Sequence, residues 1–149
     1  MAKHAHTHTY PSLPIGARAK AITDAEALAK ARNMTLTPQR RTVFELLLKA
    51  GRPLGAYMLM DELSKKEERG IAPPTIYRAL DFLVELGVVS RLESSNEFVP
   101  CAHPSEPHDC IFLICTCCKK ATEVDDKDVH KSLMAIAESN NFQTGRRVV

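Results

Sequence analysis

Apolar residues recur at helical spacing through the first part of the chain and then change rhythm. Residues 17–33 are rich in Ala, Lys and Glu, all good helix formers, with Ile22, Ala25, Leu28 and Ala29 on one face and Leu28 the expected anchor. A second helix has sharper ends. Thr37 can cap it, Pro38 suits its first turn, Val43, Phe44, Leu47 and Leu48 form its apolar stripe, and Gly51 and Pro53 stop it. A third is predicted over residues 56–66, with Leu59, Met60 and Leu63 inward. The fourth begins at Pro73-Pro74-Thr75, buries Ile76, Ala79, Leu80 and Leu83, and closes at Gly87. Two extended pieces follow, 88–92 and 97–100, split by the turn residues Ser94-Ser95-Asn96. Helices followed by a two-stranded hairpin is the order of a winged helix-turn-helix.

Beyond Cys101 the pattern differs. Residues 111–114 and 121–124 read as short strands, and 128–140 as an amphipathic helix with Val129, Leu133, Ile136 and Ala137 inward. Residues 143–149 start another strand, so this β-α-β segment looks cut short. The expected class is α+β, with a winged-helix domain over 17–100 and a smaller α/β domain over 101–149. Residues 1–16 form a tail, in which Pro11 and Pro14 deny regular structure. The alternating His4, His6 and His8 there suit either a metal-scavenging arm or a plain flexible tail, the simpler reading.

Composition narrows the classes. With 44% hydrophobic and 26% charged residues, the 149-residue chain is ordinary globular protein. The apolar run 111–115 falls far short of a membrane span, and no export signal marks the N-terminus, so a cytoplasmic protein is expected. Five cysteines, an odd number, argue against a disulfide framework. Charge is uneven: residues 1–90 hold 13 Lys+Arg against 9 Asp+Glu, net +4, and residues 91–149 hold 7 against 9, net −2. A basic first part and an acidic second suggest two jobs.

The fourth helix carries candidate chemistry for the first job. Opposite its apolar stripe lie Tyr77, Arg78, Asp81 and Glu85, and Thr75, Tyr77 and Arg78 fall in the turns where a recognition helix makes groove contacts. Arginine donates to phosphate or to guanine, while Tyr and Thr offer hydroxyls and apolar contact with thymine methyls. An ordinary exposed polar face is the competing reading; the three helices before it and the hairpin after it favour double-stranded DNA. Arg40, Arg41 and Arg91 are further candidates for phosphate.

The second job is written in thiols. Cys101, His103, His108, Cys110, Cys115, Cys117, Cys118 and Glu123 lie within 23 positions. Thiolate with imidazole selects zinc over magnesium, calcium or manganese, and Cys115-x-x-Cys118 has zinc-knuckle spacing. Buried free cysteines and a Cys115/Cys118 redox pair are the rivals. The crowding of ligands disfavours the first, and the lack of a following helix N-terminus to activate a thiol disfavours the second.

Three stretches give the sequence a family likeness: Leu36-Thr37-Pro38-Gln39-Arg40-Arg41, Pro73-Pro74-Thr75-Ile76-Tyr77-Arg78-Ala79-Leu80-Asp81-Phe82-Leu83, and Ile114-Cys115-Thr116-Cys117-Cys118. Through them the chain resembles the ferric uptake regulator family, and within it the zinc uptake regulator branch. The resemblance implies a homodimer whose C-terminal domain dimerises. A metal at the hinge then sets two heads on a palindromic operator to repress zinc uptake genes. It implies hinge ligands at Cys101, His108 and Glu123, with Ser90 where relatives place a histidine; either His103, the favoured substitute, or a water then completes the shell, or the site is weakened. It also implies a structural zinc pair at Cys115 and Cys118, whose partner C-x-x-C is absent from this sequence. On the DNA side it implies contacts from Tyr57, Thr75, Tyr77 and Arg78. The iron-type histidine cluster is replaced by Pro107-His108-Asp109-Cys110, which points to zinc.

Two other readings stand beside the zinc-responsive repressor: an iron- or peroxide-responsive member of the family, and a shortened paralogue that pairs with a longer regulator and blunts it. No membrane partner and no small-molecule substrate is expected. An enzyme is not expected either, since Pro100-Cys101 lacks the second cysteine of a zinc deaminase, and no phosphate loop or nucleophile elbow is present.

Overall fold

Ten elements follow one another in the computed structural model, which describes residues 14–101, 111–118, 120–124 and 126–142. They are α1 (Ile15–Ala31), α2 (Pro38–Ala50), β1 (Leu54–Gly55), α3 (Ala56–Glu67), α4 (Pro73–Leu86), β2 (Val89–Leu92), β3 (Glu97–Pro100), β4 (Ile111–Ile114), β5 (Ala121–Val124) and α5 (Lys127–Ser139). The strands form two antiparallel sheets, one ordered β1-β3-β2 and the other pairing β4 with β5.

The helix ends follow from local chemistry. Thr37 caps α2 by accepting from the Arg40 N–H at 3.4 Å, with Pro38 in the first turn. Gly51 and Gly87, at φ 60° and 86°, terminate α2 and α4 in the left-handed region that disfavours residues with a Cβ. The last turn of α4 is held from outside as well: Arg32 Nη1 donates to the Leu86 carbonyl at 2.8 Å. These contacts fix where α4 stops and the wing hairpin β2–β3 starts.

The main core lies among α1–α4 and the inner face of the wing. It includes Val43, Phe44, Leu47 and Leu48 of α2, Leu59 and Leu63 of α3, and Ile76, Leu80, Leu83 and Leu86 of α4, together with Val89 and Phe98 of the wing. Each buried leucine supplies roughly 1.5–3 kcal/mol, so α4 is anchored by its apolar stripe and not by helix propensity alone.

The wing has a second face. The register pairs Ser90 with Val99 and Leu92 with Glu97, so Ser90, Leu92, Val99 and, just past the strand, Cys101 alternate onto one side. Leu92 and Val99 there form a separate small core with Phe112 and Ala121, flanked by Ile114. The boundary expected at residue 101 is therefore not a clean cut: the wing packs on the helices with one face and on β4–β5 with the other.

Some expectations change. Helix α1 starts at Ile15, inside the stretch assigned to the tail, and buries Ile22, Ala25 and Ala29 while Leu28 is only partly covered. Two alanines allow α1 to approach closely, which leaves the larger Leu28 at the rim. Strand β1 was not expected; two residues carry no periodicity. None of the residues of α5 is buried, and Val129 and Ile136 are 39% and 60% exposed, against their expected inward placement. Among the described residues of this half, two four-residue strands are too small to cover a helix of 13 residues. The histidine tail to residue 13, the segment 102–110 and the strand expected at 143–149 lie outside the described residues.

Candidate DNA interface and metal centre

The starts of α3 and α4 lie side by side. Tyr57 and Tyr77 line one shallow cleft with Ala56, Met60, Pro73 and Ile76, and both tyrosines reach solvent, at 67% and 37% exposure. Thr75 is half-buried in the first turn of α4, its N–H donating to the Ala72 carbonyl at 3.0 Å, and Arg78 is exposed one turn further on. The four expected DNA residues thus share two adjoining helix starts.

The other candidate arginines are used differently. Arg41 bridges Glu26 at 2.7 Å and Glu45 at 3.1 Å. Arg40 donates to the Thr35 carbonyl at 2.7 Å and stacks 3.9 Å above the Phe82 ring, tying α2 to α4. Arg91 clamps the wing turn through two bonds to Asn96 Oδ1. Among the described residues Arg78 has no ion-pair partner. An arginine held by carboxylates has little free charge for phosphate; Arg78 is exposed and has no such partner among the described residues, which keeps it a candidate for DNA contact. Glu45 is also shaped by this network: burial raises its pKa, but hydrogen bonds and charge from Lys66 and Arg41 outweigh it and hold the carboxyl below the ordinary glutamate range.

On the metal side, Cys115 and Cys118 meet at the end of β4. The Cys115 N–H donates to the Lys120 carbonyl at 2.8 Å, closing the hairpin, and the Cys118 N–H points back to Cys115 Sγ at 3.5 Å. An N–H aimed at sulfur supports a thiolate, so this turn suits two zinc-bound cysteines. Cys115 is half-buried and Cys118 exposed.

Cys101 follows β3, and its N–H donates to the Val88 carbonyl at 2.9 Å, continuing the ladder. Its Sγ lies 3.0 Å from Ser90 Oγ. Glu123 pairs with Phe112 across β4–β5, so it shares the face on which Phe112, Ala121 and Ile114 meet the wing. Cys101 and Glu123 therefore belong to the two facing surfaces of one seam. His103, His108 and Cys110 lie outside the described residues, and among the described residues no three His, Cys, Asp or Glu side chains come together to hold an ion.

The Ser90–Cys101 contact, the Arg32 cap and the second face of the wing escape a linear reading. Register carries the signal for two of them: a four-residue turn at 93–96 would have set Ser90 opposite Val99 and diagonal to Cys101.

Comparison with known proteins places the chain. Residues 31–147 match the ferric uptake regulator family. Over 129 residues the chain is 35% identical to the zinc uptake regulation protein of Escherichia coli K12, covering 86% of this chain and 75% of that protein. A solved zinc uptake regulator complexed with zinc and DNA superimposes with TM-score 0.77 at 34% identity, over 89% of this chain and 87% of that one. The holo form of XcZur gives 0.74 at 41% identity, over 87% and 92% of the two chains. Its apo form gives 0.54 at 42% identity, over 85% and 86%. The chain belongs to the ferric uptake regulator family.

Proposed function

We propose that this protein is a zinc-responsive transcriptional repressor that binds palindromic operator DNA as a metal-loaded homodimer in the cytoplasm and silences zinc uptake genes. It is a regulator and not an enzyme. The observation that carries this reading is the seam: the wing presents Cys101 on the face that packs against the β4–β5 face bearing Glu123.

In this reading Cys101, His103, His108 and Glu123 hold the regulatory zinc, and Cys115 and Cys118 belong to a structural site. Zinc bound there would tie thiolate, imidazole and carboxylate together across the seam. Cys101 belongs to the wing, and the wing follows α4 directly, so fixing the seam fixes the orientation of Tyr57, Thr75, Tyr77 and Arg78. The switch needs the DNA-competent arrangement to bind zinc more tightly than the open one; equal affinity would shift nothing.

A palindromic operator needs two heads at half-sites about one helical turn apart, and hence a dimer. The exposed Val129, Met134 and Ile136 of α5, with Leu113 of β4, supply apolar surface for it.

The test is binding of the purified protein to an operator fragment while free zinc is set with a chelator at fixed salt. Low free zinc should switch on tight, specific binding, and Cys101→Ser should abolish the switch without removing zinc from Cys115 and Cys118. Specific binding elicited by iron or manganese and not by zinc would move the protein to another branch of the family.

A further inference from the structure

Ser90 stands out because its hydroxyl touches a proposed metal ligand from a position that supplies no good ligand itself. It sits half-buried on β2, and Cys101 continues β3 on the same face of the same hairpin. The two backbones are locked by paired strands and by the Cys101-to-Val88 hydrogen bond, so the 3.0 Å Oγ–Sγ contact is set by register and not by a floppy side chain.

From this geometry we propose that Ser90 is a positioning residue for the wing-side zinc ligand: its hydroxyl donates to Cys101 Sγ, orients the sulfur and strengthens the site's hold on metal. The proposal rests on the reading of Cys101 as a zinc ligand. With a thiol, either group can donate across this contact. A metal-bound thiolate has no proton left, so the hydroxyl must be the donor. Such a bond is charge-assisted and therefore stronger than the neutral one it replaces. It stabilises the sulfur lone pairs, which aligns the ligand and lowers the energy of the electrons it shares with the metal. Loss of an outer partner of this kind typically costs about 10–100-fold in metal affinity.

The experiment uses the full chain with zinc affinity read by chelator competition and cobalt(II) as a spectroscopic probe. Subtracting the cobalt spectrum of Cys101→Ser from that of the parent isolates the sulfur-to-metal band of Cys101 from that of Cys115 and Cys118. Ser90→Ala should weaken zinc by about 10-fold and move the Cys101 band to longer wavelength, since the sulfur electrons are no longer held down by the hydroxyl. Ser90→Thr keeps a hydroxyl and should restore both, which a merely structural role for serine would not predict. An unchanged affinity and an unchanged band in Ser90→Ala would overturn the proposal while leaving Cys101 as a ligand. A change in the cobalt d–d bands to another coordination number would also overturn it, because it would put the Ser90 oxygen on the metal. If Cys101→Ser leaves the spectrum of the parent unaltered, the ligand reading fails and the proposal falls with it.

Discussion

The two halves of this chain bury their apolar residues to very different degrees. Residues 15–100 enclose a core drawn from four helices and one face of the wing, with Leu47, Leu59, Leu63, Leu80, Leu83 and Leu86 sealed from solvent. Beyond the wing, among the described residues, the small core draws Phe112 and Ala121 from the second half with Ile114 packed against them, and α5 buries nothing. Among the described residues the first half holds most of the buried apolar side chains, and the second half leaves much of its apolar surface uncovered. A regulator benefits from that division. On the proposed function, a rigid head would present Arg78 and its neighbours, while the part proposed to sense zinc would gain order when zinc arrives.

The largest effect that would break this contrast comes from the helical core. Leu80→Ala empties a fully buried position and should destabilise residues 15–100 by about 2–5 kcal/mol, seen as a lower midpoint in urea unfolding, with zinc at the proposed Cys115 and Cys118 site retained in the folded fraction. Arg78→Ala should leave the unfolding midpoint unchanged and cost about 1–3 kcal/mol of operator binding. Arg41→Ala, by contrast, should cost less on DNA because Glu26 and Glu45 already neutralise that charge. Ile136→Ser probes the unfinished side: at 60% exposure it should cost the monomer little, yet raise the dimer dissociation constant about 10-fold, the signature of an interface residue worth more than ~1 kcal/mol. Sedimentation over a concentration series reads that change.

The smallest effect is pH-linked. Glu45 titrates below the ordinary glutamate range in the folded state, so its network adds stability that is complete above the unfolded carboxylate pKa and is lost as pH falls through the lower folded value. Partial exposure of Arg41 and Lys66 limits it to no more than about 1 kcal/mol. Glu45→Gln should therefore reduce stability near neutral pH, and the difference from the parent should vanish in acid unfolding.

Legibility followed the same division. Helices α2 and α4 were readable because each has a chemical start and stop, Thr37-Pro38 with Gly51 and Pro73-Pro74 with Gly87, around a full apolar stripe. The bounds of β3, β4 and β5 were also legible, β3 from the turn residues before it and β4 from its short apolar run. The inward side of α5 could not be read correctly, because its stripe is a true periodic signal whose cover is not supplied by the described residues. Likewise Arg40, Arg41 and Arg91 look like free cations along the chain; their engagement with Phe82, Glu26, Glu45 and Asn96 arises from tertiary contacts that spacing does not encode. The fourth-helix motif made Thr75, Tyr77 and Arg78 candidates for DNA contact, and the fold places them with Tyr57 at two adjoining helix starts. Cys101 was visible as a thiol in a crowd of ligands, but its neighbour Ser90 becomes meaningful only once strand register brings them to 3.0 Å.

Amide hydrogen exchange of the full chain, with and without stoichiometric zinc, tests the central claim most directly. Protection in α2–α4 should be high and nearly indifferent to zinc, whereas protection in β4, β5 and α5 should rise sharply when zinc is added and fall again with chelator. Equal, zinc-independent protection in both halves would contradict the account.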